Sequence, residues 1–208
     1  MAGTRDAAVD AAGPTATARR RPARDRLLAA AARRFYADGI AATGIDAITA
    51  DAGVAKMSLY NNFASKAELV EAYLVARHAE WLDLYRARLA QAGDDPRAGV
   101  LAVFDAYADH AHAGYVHGFR GCGLLNAAAE LPVGDPGRAA VRAHKEEVEG
   151  IVAGHLTALL PDDPARVADV AEHLAFLLEG SMARAGLEGD DYRLGRARAL
   201  AADLLAGL

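Results

Sequence analysis

Residues 45 to 63 read Ile45-Asp-Ala-Ile-Thr-Ala-Asp-Ala-Gly-Val-Ala-Lys-Met-Ser-Leu-Tyr-Asn-Asn-Phe63, two short amphipathic segments on either side of Gly53. In the first, Ile45, Ile48 and Ala52 recur at helical spacing. Gly53 then breaks the pattern, Val54 can plug the angle between two helices, and a second segment from Lys56 to Asn62 turns Leu59 and Phe63 inward. The opposite surface of that second segment is left to Lys56, Met57, Ser58, Tyr60, Asn61 and Asn62. Two short helices about a tight turn, with polar groups on the exposed side of the second, have the width a DNA major groove accepts.

The flanks complete a compact unit. From Arg24 to Asp38, Leu27, Leu28, Ala31, Ala32 and Phe35 form an apolar stripe that Gly39 stops. Thr43 and Asp46 read as a short capping pair for the next helix, and Ser65 with Glu68 as a second capping box opening a long segment through Leu69, Tyr73, Leu82 and Leu89. Lys56 and Lys66 sit beside expected helix N-termini, where a lone cation opposes the helix dipole unless a phosphate approaches. Tyr60 can donate to a phosphate, Ser58 and Asn61 can bond backbone or base edges, and Met57 can pack on a thymine methyl. Thr43 can clamp a phosphate through its hydroxyl, and Asn62 either contacts phosphate or caps the helix end.

Charge supports the same end of the chain. The net charge is −5, but residues 1 to 70 hold ten Lys or Arg against seven Asp or Glu, while residues 71 to 208 hold thirteen against twenty-one. A basic front on an acidic body suits DNA engagement at one end, because phosphate attraction follows local charge density. Residues 1 to 23, without apolar periodicity, read as a disordered basic arm whose Arg19, Arg20 and Arg21 can follow the minor groove. Apolar residues make up 53% of the chain but aromatics only 6%, so alanine-lined helices rather than a sheet are expected. Charges interrupt every apolar run, which argues against a membrane span. A single cysteine, Cys122, forms no internal disulfide, and a cytoplasmic protein is expected.

The rest of the chain is punctuated by Asp95-Pro96, Asp135-Pro136 and Asp163-Pro164, each an N-cap followed by a first-turn proline. They divide it into helices near 96–112, 137–160 and 164–184, with a shorter piece at 122–130 and a last helix near 191–206. The fold expected is all-α, about nine helices, with a DNA-binding unit over 24–70 and a body over 71–208. Val167, Val170, Leu174, Leu177, Leu178 and Ser181 line one side of the penultimate helix, and Leu194, Ala197, Leu200, Ala201, Leu204 and Leu205 line the last. Two such stripes from each of two chains can form a four-helix interface, and they equally suit burial within one chain.

Together these residues resemble the TetR family of transcriptional regulators. The resemblance lies in Phe35-x-x-x-Gly39, Thr43, Ile48, Ala52-Gly53-Val54, Leu59-Tyr60-x-x-Phe63-x-x-Lys66 and Leu69, and covers about residues 24 to 73. It implies a three-helix head, a fourth connecting helix and a variable body that pairs subunits and binds an effector. By similarity Thr43, Lys56, Ser58, Tyr60, Asn61, Asn62 and Lys66 inherit DNA-facing roles, Met57 joining them from the reading above. Ala55 departs from the serine or other cap usual at its place, and Asn62 from the frequent histidine.

The resemblance further implies double-stranded operator DNA as partner, a homodimer through the last two long helices, and an unidentified small-molecule effector. Repression is expected, since an occupied operator obstructs transcription, although operator position decides between repression and activation. The alternatives are a DNA-associated adaptor without a ligand and a small helical enzyme. For the second, no nucleophile-base constellation or phosphate-cradling loop is legible. In the body, Tyr107, His110, Phe119, Cys122, Asn126 and Glu130 are the candidates for lining an effector pocket. His110, His112 and His117 lie near Cys122 in sequence, but nearness is not tetrahedral geometry, and neither a metal nor a cofactor is expected.

Overall fold

The computed structural model describes residues 22–112 and 114–208. Arg19, Arg20 and Arg21, and with them nearly all of the expected arm, lie outside the described residues. Among the described residues nine helices and no strands occur: α1 (Pro22–Asp38), α2 (Ile45–Ala52), α3 (Lys56–Tyr60), α4 (Lys66–Ala92), α5 (Pro96–Ala111), α6 (Gly123–Glu130), α7 (Pro136–Leu159), α8 (Pro164–Glu188) and α9 (Tyr192–Ala206). Helix α1 begins two residues earlier than expected, because Pro22 fits a first helical turn, where a missing N–H costs nothing.

Helices α1 to α3 form a head around Leu27, Ala31, Ile48, Leu59 and Phe63, all fully buried. Phe63 is closed from outside by the Arg24 guanidinium, 4.2 Å above its ring. Gly53 takes a left-handed conformation (φ 61°) and returns its amide to Ala50 and Thr49, so the chain reverses between α2 and α3 within three residues. Helix α4 carries Leu69 and Tyr73 back against α1, with Phe35 and Tyr73 edge to face at 5.5 Å, and then runs on into the body.

Within the body α4 packs on α5 and α7, α5 on α7 and α9, and α8 on α7 and α9. The three Asp-Pro starts behave as read: Asp95 accepts from the amide of Arg97 at 2.9 Å, Asp135 from Gly137 at 2.7 Å and Asp163 from Arg166 at 2.9 Å. The Ser65 box also forms, its hydroxyl accepting from the Glu68 amide while the Glu68 carboxylate accepts from Ala64. The Thr43–Asp46 pair does not. Gly44 holds the N-cap place of α2 with no side-chain bond, and the Thr43 hydroxyl instead donates to the carbonyl of Gly39 at 2.6 Å.

The long helices use most of their apolar stripes within the chain, one of the two uses open to them. Val167, Val170, Leu174, Leu178 and Ser181 of α8, and Leu194, Ala197, Ala201 and Leu205 of α9, are buried within the single chain. Most of the two stripes is intrachain core, while Leu177 and Leu204 are half-buried and Leu200 is 46% exposed. What α8 leaves open is another face, Phe176, Gly180, Ala183 and Leu187, at spacings of four, three and four.

The head has too few buried residues to lose one cheaply. Phe63→Ala should lower stability by about 3–5 kcal/mol, measured as a shift in the urea midpoint at fixed protein concentration. A change below about 1 kcal/mol would mean that the head is not built on this ring.

Candidate nucleic-acid interface

The exposed side of α3 is the first element of the site. Met57 is 69% and Tyr60 47% exposed, unusual for large side chains on so short a helix, and Lys56 and Asn61 stand beside them. Leu59, fully buried, holds the opposite side. The Lys56 ammonium pairs with Asp46 of α2 at 2.8 Å, both groups exposed, and the bond to Asp46 raises the lysine's pKa. It stays charged, and a solvated pair of this kind exchanges readily for a phosphate. Ala55 at the helix entrance supplies no side-chain cap, so the first amides of α3 are left without a side-chain acceptor.

Helix α3 ends at Tyr60 rather than Asn62. The Asn62 side-chain amide donates to the carbonyl of Ser58 at 2.7 Å, which is the cap alternative of the two readings. Ser58 itself is half-buried.

Two expected DNA-facing residues take other places. Thr43 is only 3% exposed and its hydroxyl hydrogen is committed to Gly39, so it has no proton to offer a phosphate. Lys66 is half-buried and donates to the carbonyl of Ile40 at 2.5 Å, bracing the α1–α2 turn. Its ammonium carries two further hydrogens.

That turn is also gripped from the body. The Glu130 carboxylate at the end of α6 accepts from the amides of Ile40 at 2.9 Å and Ala41 at 2.7 Å. Arg120 donates to the carbonyls of Tyr36 at 2.9 Å and Ala37 at 2.6 Å, satisfying acceptors that the end of α1 leaves orphaned. The Tyr36 hydroxyl accepts from the Arg120 amide and donates to the carbonyl of Gly121. Here Gly39, at φ 92°, lies so close to Glu130 that an added Cβ would come within 2.9 Å of its carboxylate. Residues 120 to 130 thus hold the head by hydrogen bonds between side chains and backbone at several points. None of Tyr36, Arg120 and this role of Glu130 is legible in the sequence, because the partners are some ninety residues apart.

The body contains a small cavity lined by Arg77 and Trp81 of α4, Tyr107 and His110 of α5, Cys122, Gly123 and Leu124 at the start of α6, and His144 of α7. Of the six expected pocket residues, Tyr107, His110 and Cys122 are here. Phe119 is buried next to them, edge-on to His110 and tilted against Tyr115, but is not on the cavity wall. Asn126 and Glu130 point elsewhere: Asn126 donates to the carbonyl of Arg120 at 3.0 Å, and Glu130 serves the latch. Both are on α6, whose buried side is taken by Leu124 and Ala127.

Arg77, Trp81 and His144 were missed; the four-residue spacing of Arg77 and Trp81 on α4 was the available signal. Beside the cavity Lys145 pairs with Glu179 at 2.7 Å, donates to the Tyr107 hydroxyl at 3.2 Å, and lies 3.7 Å from the Cys122 sulfur. Burial opposes its charge, but Tyr107, Cys122 and Glu179 outweigh burial and raise its pKa. His112 pairs instead with Asp191, and His117 lies 3.9 Å from Asp38. Among the described residues no group of three or more His, Cys, Asp or Glu is placed to hold a metal ion.

With this geometry in view, residues 27–73 match the family model of bacterial regulatory proteins of the TetR family. A TetR-family transcriptional regulator from Streptomyces coelicolor is 32% identical, with a TM-score of 0.77 over 88% of this chain and 93% of that one. The chain belongs to the TetR family. A putative TetR transcriptional regulator from Streptomyces avermitilis is 30% identical, with a TM-score of 0.63 over 86% of this chain and 97% of its own. A TetR regulator from Chloroflexus aurantiacus, 24% identical, shares the fold at a TM-score of 0.74 over 88% of this chain and 94% of its own. Among curated proteins no sequence match is found. TetR membership makes the α2–α3 unit a DNA-binding helix-turn-helix and the chain a transcriptional regulator. Among the described residues no helix is long and apolar enough to cross a membrane.

The cavity histidines give a pH dependence. Burial pushes His110 down to about 4 and His144 down to about 3, so both remain neutral in the folded chain. Unfolded histidines take up a proton near pH 6.5. Below that value the unfolded state binds more protons, so stability is full above about pH 6.5 and falls as pH drops towards the folded-state values. The urea midpoint should fall between pH 7 and pH 5, and His144→Gln should flatten the slope. A midpoint independent of pH over this window would contradict the assignment.

Proposed function

We propose that this TetR-family chain is a ligand-responsive repressor that binds palindromic operator DNA as a homodimer and is released by a small molecule entering the body. The observation that carries the reading is the face of α3. Lys56, Met57, Tyr60 and Asn61 are exposed together on a helix whose other side is sealed into the head, which is the arrangement a groove-reading helix requires.

In this reading Lys56 and the Tyr60 hydroxyl hold phosphates, Met57 packs against a thymine methyl, and Asn61 and Ser58 bond base edges or backbone. Asn62 fixes the end of the helix, and Lys66 adds charge beside the turn it braces. Two subunits meet on the open face of α8, where Phe176 is 68% and Leu187 83% exposed with Gly180 and Ala183 between them. Small residues there let two helices approach closely, and twofold pairing places the same face on both sides. The subunits then set the two α3 helices for successive major grooves, about 34–36 Å apart.

The effector acts by preferring the state in which that spacing is lost. The cavity and the latch share one segment, since Cys122, Gly123 and Leu124 line the cavity and Arg120 and Glu130 hold the head. A ligand that displaces the start of α6 therefore acts directly on the α1–α2 turn as well as through α4. The role is regulatory rather than catalytic, exercised on DNA inside the cell.

A selection of sites from random duplexes, followed by titration of the recovered site, tests recognition. Tyr60→Phe should weaken binding by up to about tenfold for every sequence, as expected for one lost phosphate hydrogen bond. Asn61→Ala should change the preferred sequence. Unaltered affinity in the first and unaltered preference in the second would remove α3 as the reading element.

A further inference from the structure

Helix α8 meets the latch through bare backbone. Gly186, in its last turn, lies so close to the peptide joining Arg120 and Gly121 that an added Cβ would stand 2.6 Å from the Gly121 nitrogen, 2.7 Å from its Cα and 2.8 Å from the Arg120 carbonyl carbon. The approach is close from the strap as well: a Cβ on Gly121, at φ 81°, would stand 3.3 Å from the Met182 carbonyl oxygen of α8. Glycine is the poorest helix former after proline. At Gly150, Gly154, Gly180 and Gly195 an added Cβ would meet nothing within 4 Å, so contact requires no glycine there. Among the described helical glycines, only at Gly186 would it come under 3 Å from backbone, which has no rotamer to change.

The peptide beneath Gly186 belongs to the stretch that holds α1. The Arg120 amide donates to the Tyr36 hydroxyl at 2.7 Å, and that hydroxyl donates to the Gly121 carbonyl at 3.1 Å. The Arg120 guanidinium adds its bonds to the carbonyls of Tyr36 and Ala37. Two residues on, a Cβ at Gly123 would stand 3.0 Å from the Tyr73 hydroxyl and 3.1 Å from the Tyr36 ring. Residues 120 to 123 therefore touch α8, α1 and α4, with no side chain at 121 or 123 to yield. Close-packed interiors transmit such shifts rather than absorb them. At the far end of α6 the same segment delivers Glu130 to the amides of Ile40 and Ala41.

We propose that Gly186 is a positioning residue for DNA binding: through it α8 seats the strap, the strap and α6 hold the α1–α2 turn, and α3 is aimed accordingly. Leu187, next in the chain, belongs to the open face of α8. Where two copies pair on that face, whatever pairing does to the latch, the latch does to pairing by the same factor. That consequence rests on the proposed homodimer, whereas the positioning role does not.

Hydrogen exchange read by NMR on the chain without DNA follows the amides of Arg120, Ile40 and Ala41. Gly186→Ala should speed all three about tenfold, at Arg120 beside the contact and at Ile40 and Ala41 across α6. The Phe63 amide, bonded to the Leu59 carbonyl inside the head, should stay within about twofold. Gly150→Ala, at an exposed glycine facing open space, is the control and should leave all four within about twofold. On the duplex recovered by site selection, Gly186→Ala should weaken binding about fivefold or more. Combined with Glu130→Ala, it should bind within about twofold of the weaker single variant, because both break one latch. If Gly186→Ala does not fold, Tyr36→Phe carries the same measurements, since it cuts the strap from α1 and keeps the ring.

Faster exchange at Arg120 with Ile40 and Ala41 unchanged would confine the contact to local packing and overturn the proposal. So would unchanged duplex affinity with all three amides faster, a loss that simply multiplies with that of Glu130→Ala, or a Tyr36→Phe chain that behaves as wild type. A wild type that selects no duplex would refute the reading of α3 instead, and the exchange measurements would still decide whether α8 seats the latch.

Discussion

The backbone of the turn between α1 and α2 cannot satisfy itself. The amides of Ile40 and Ala41 and the carbonyls at the end of α1 need partners from elsewhere in the chain, and residues 120 to 130 supply them. The Glu130 carboxylate and the Arg120 guanidinium make charge-assisted bonds, the stronger kind, and the Tyr36 hydroxyl bonds both ways in the same place. The head is thus attached to the body twice, once through the continuous helix α4 and once through this latch. Two attachments fix an orientation that one flexible joint would leave free. Where α3 points depends on both.

The body cavity lies against both attachments. Its walls come from α4, α5, the start of α6 and α7, so the two elements that hold the head are both cavity walls. The cavity is narrow and mostly apolar in lining, with Arg77 and the neutral His110 and His144 on its wall and the part-buried Lys145–Glu179 pair beside it. A body evolved only for stability would fill such a space with apolar side chains, since buried polar networks that are incompletely satisfied cost free energy. Here those polar groups lie beside the segment that latches the head.

How much of this could be read from the sequence followed from the range of the interactions involved. The head was legible because its signals are local: Gly53 at a left-handed position, Leu59 and Phe63 on one side of a short helix, Ser65 capping the next. The Asp-Pro starts of α5, α7 and α8 were legible for the same reason. The Thr43 cap failed because a hydroxyl near a helix start has more than one acceptor in reach, and the Gly39 carbonyl won. Asn126 and Glu130 were misplaced because periodicity shows that a helix has two faces without showing which neighbour each face meets. Periodicity likewise found the stripes of α8 and α9 but could not say that they pack within one chain, leaving Phe176 and Leu187 outside.

The most direct measurement is the distance between the recognition helices. With Cys122 replaced by serine and a spin label at position 57 as the only attachment site, pulsed dipolar spectroscopy on the proposed dimer without DNA reads the separation of the two α3 helices and its spread. A single narrow distribution is expected, broadened several-fold when Glu130→Ala frees the Ile40 and Ala41 amides. A distribution equally narrow with and without Glu130 would show that α4 alone holds the head, and would contradict the account.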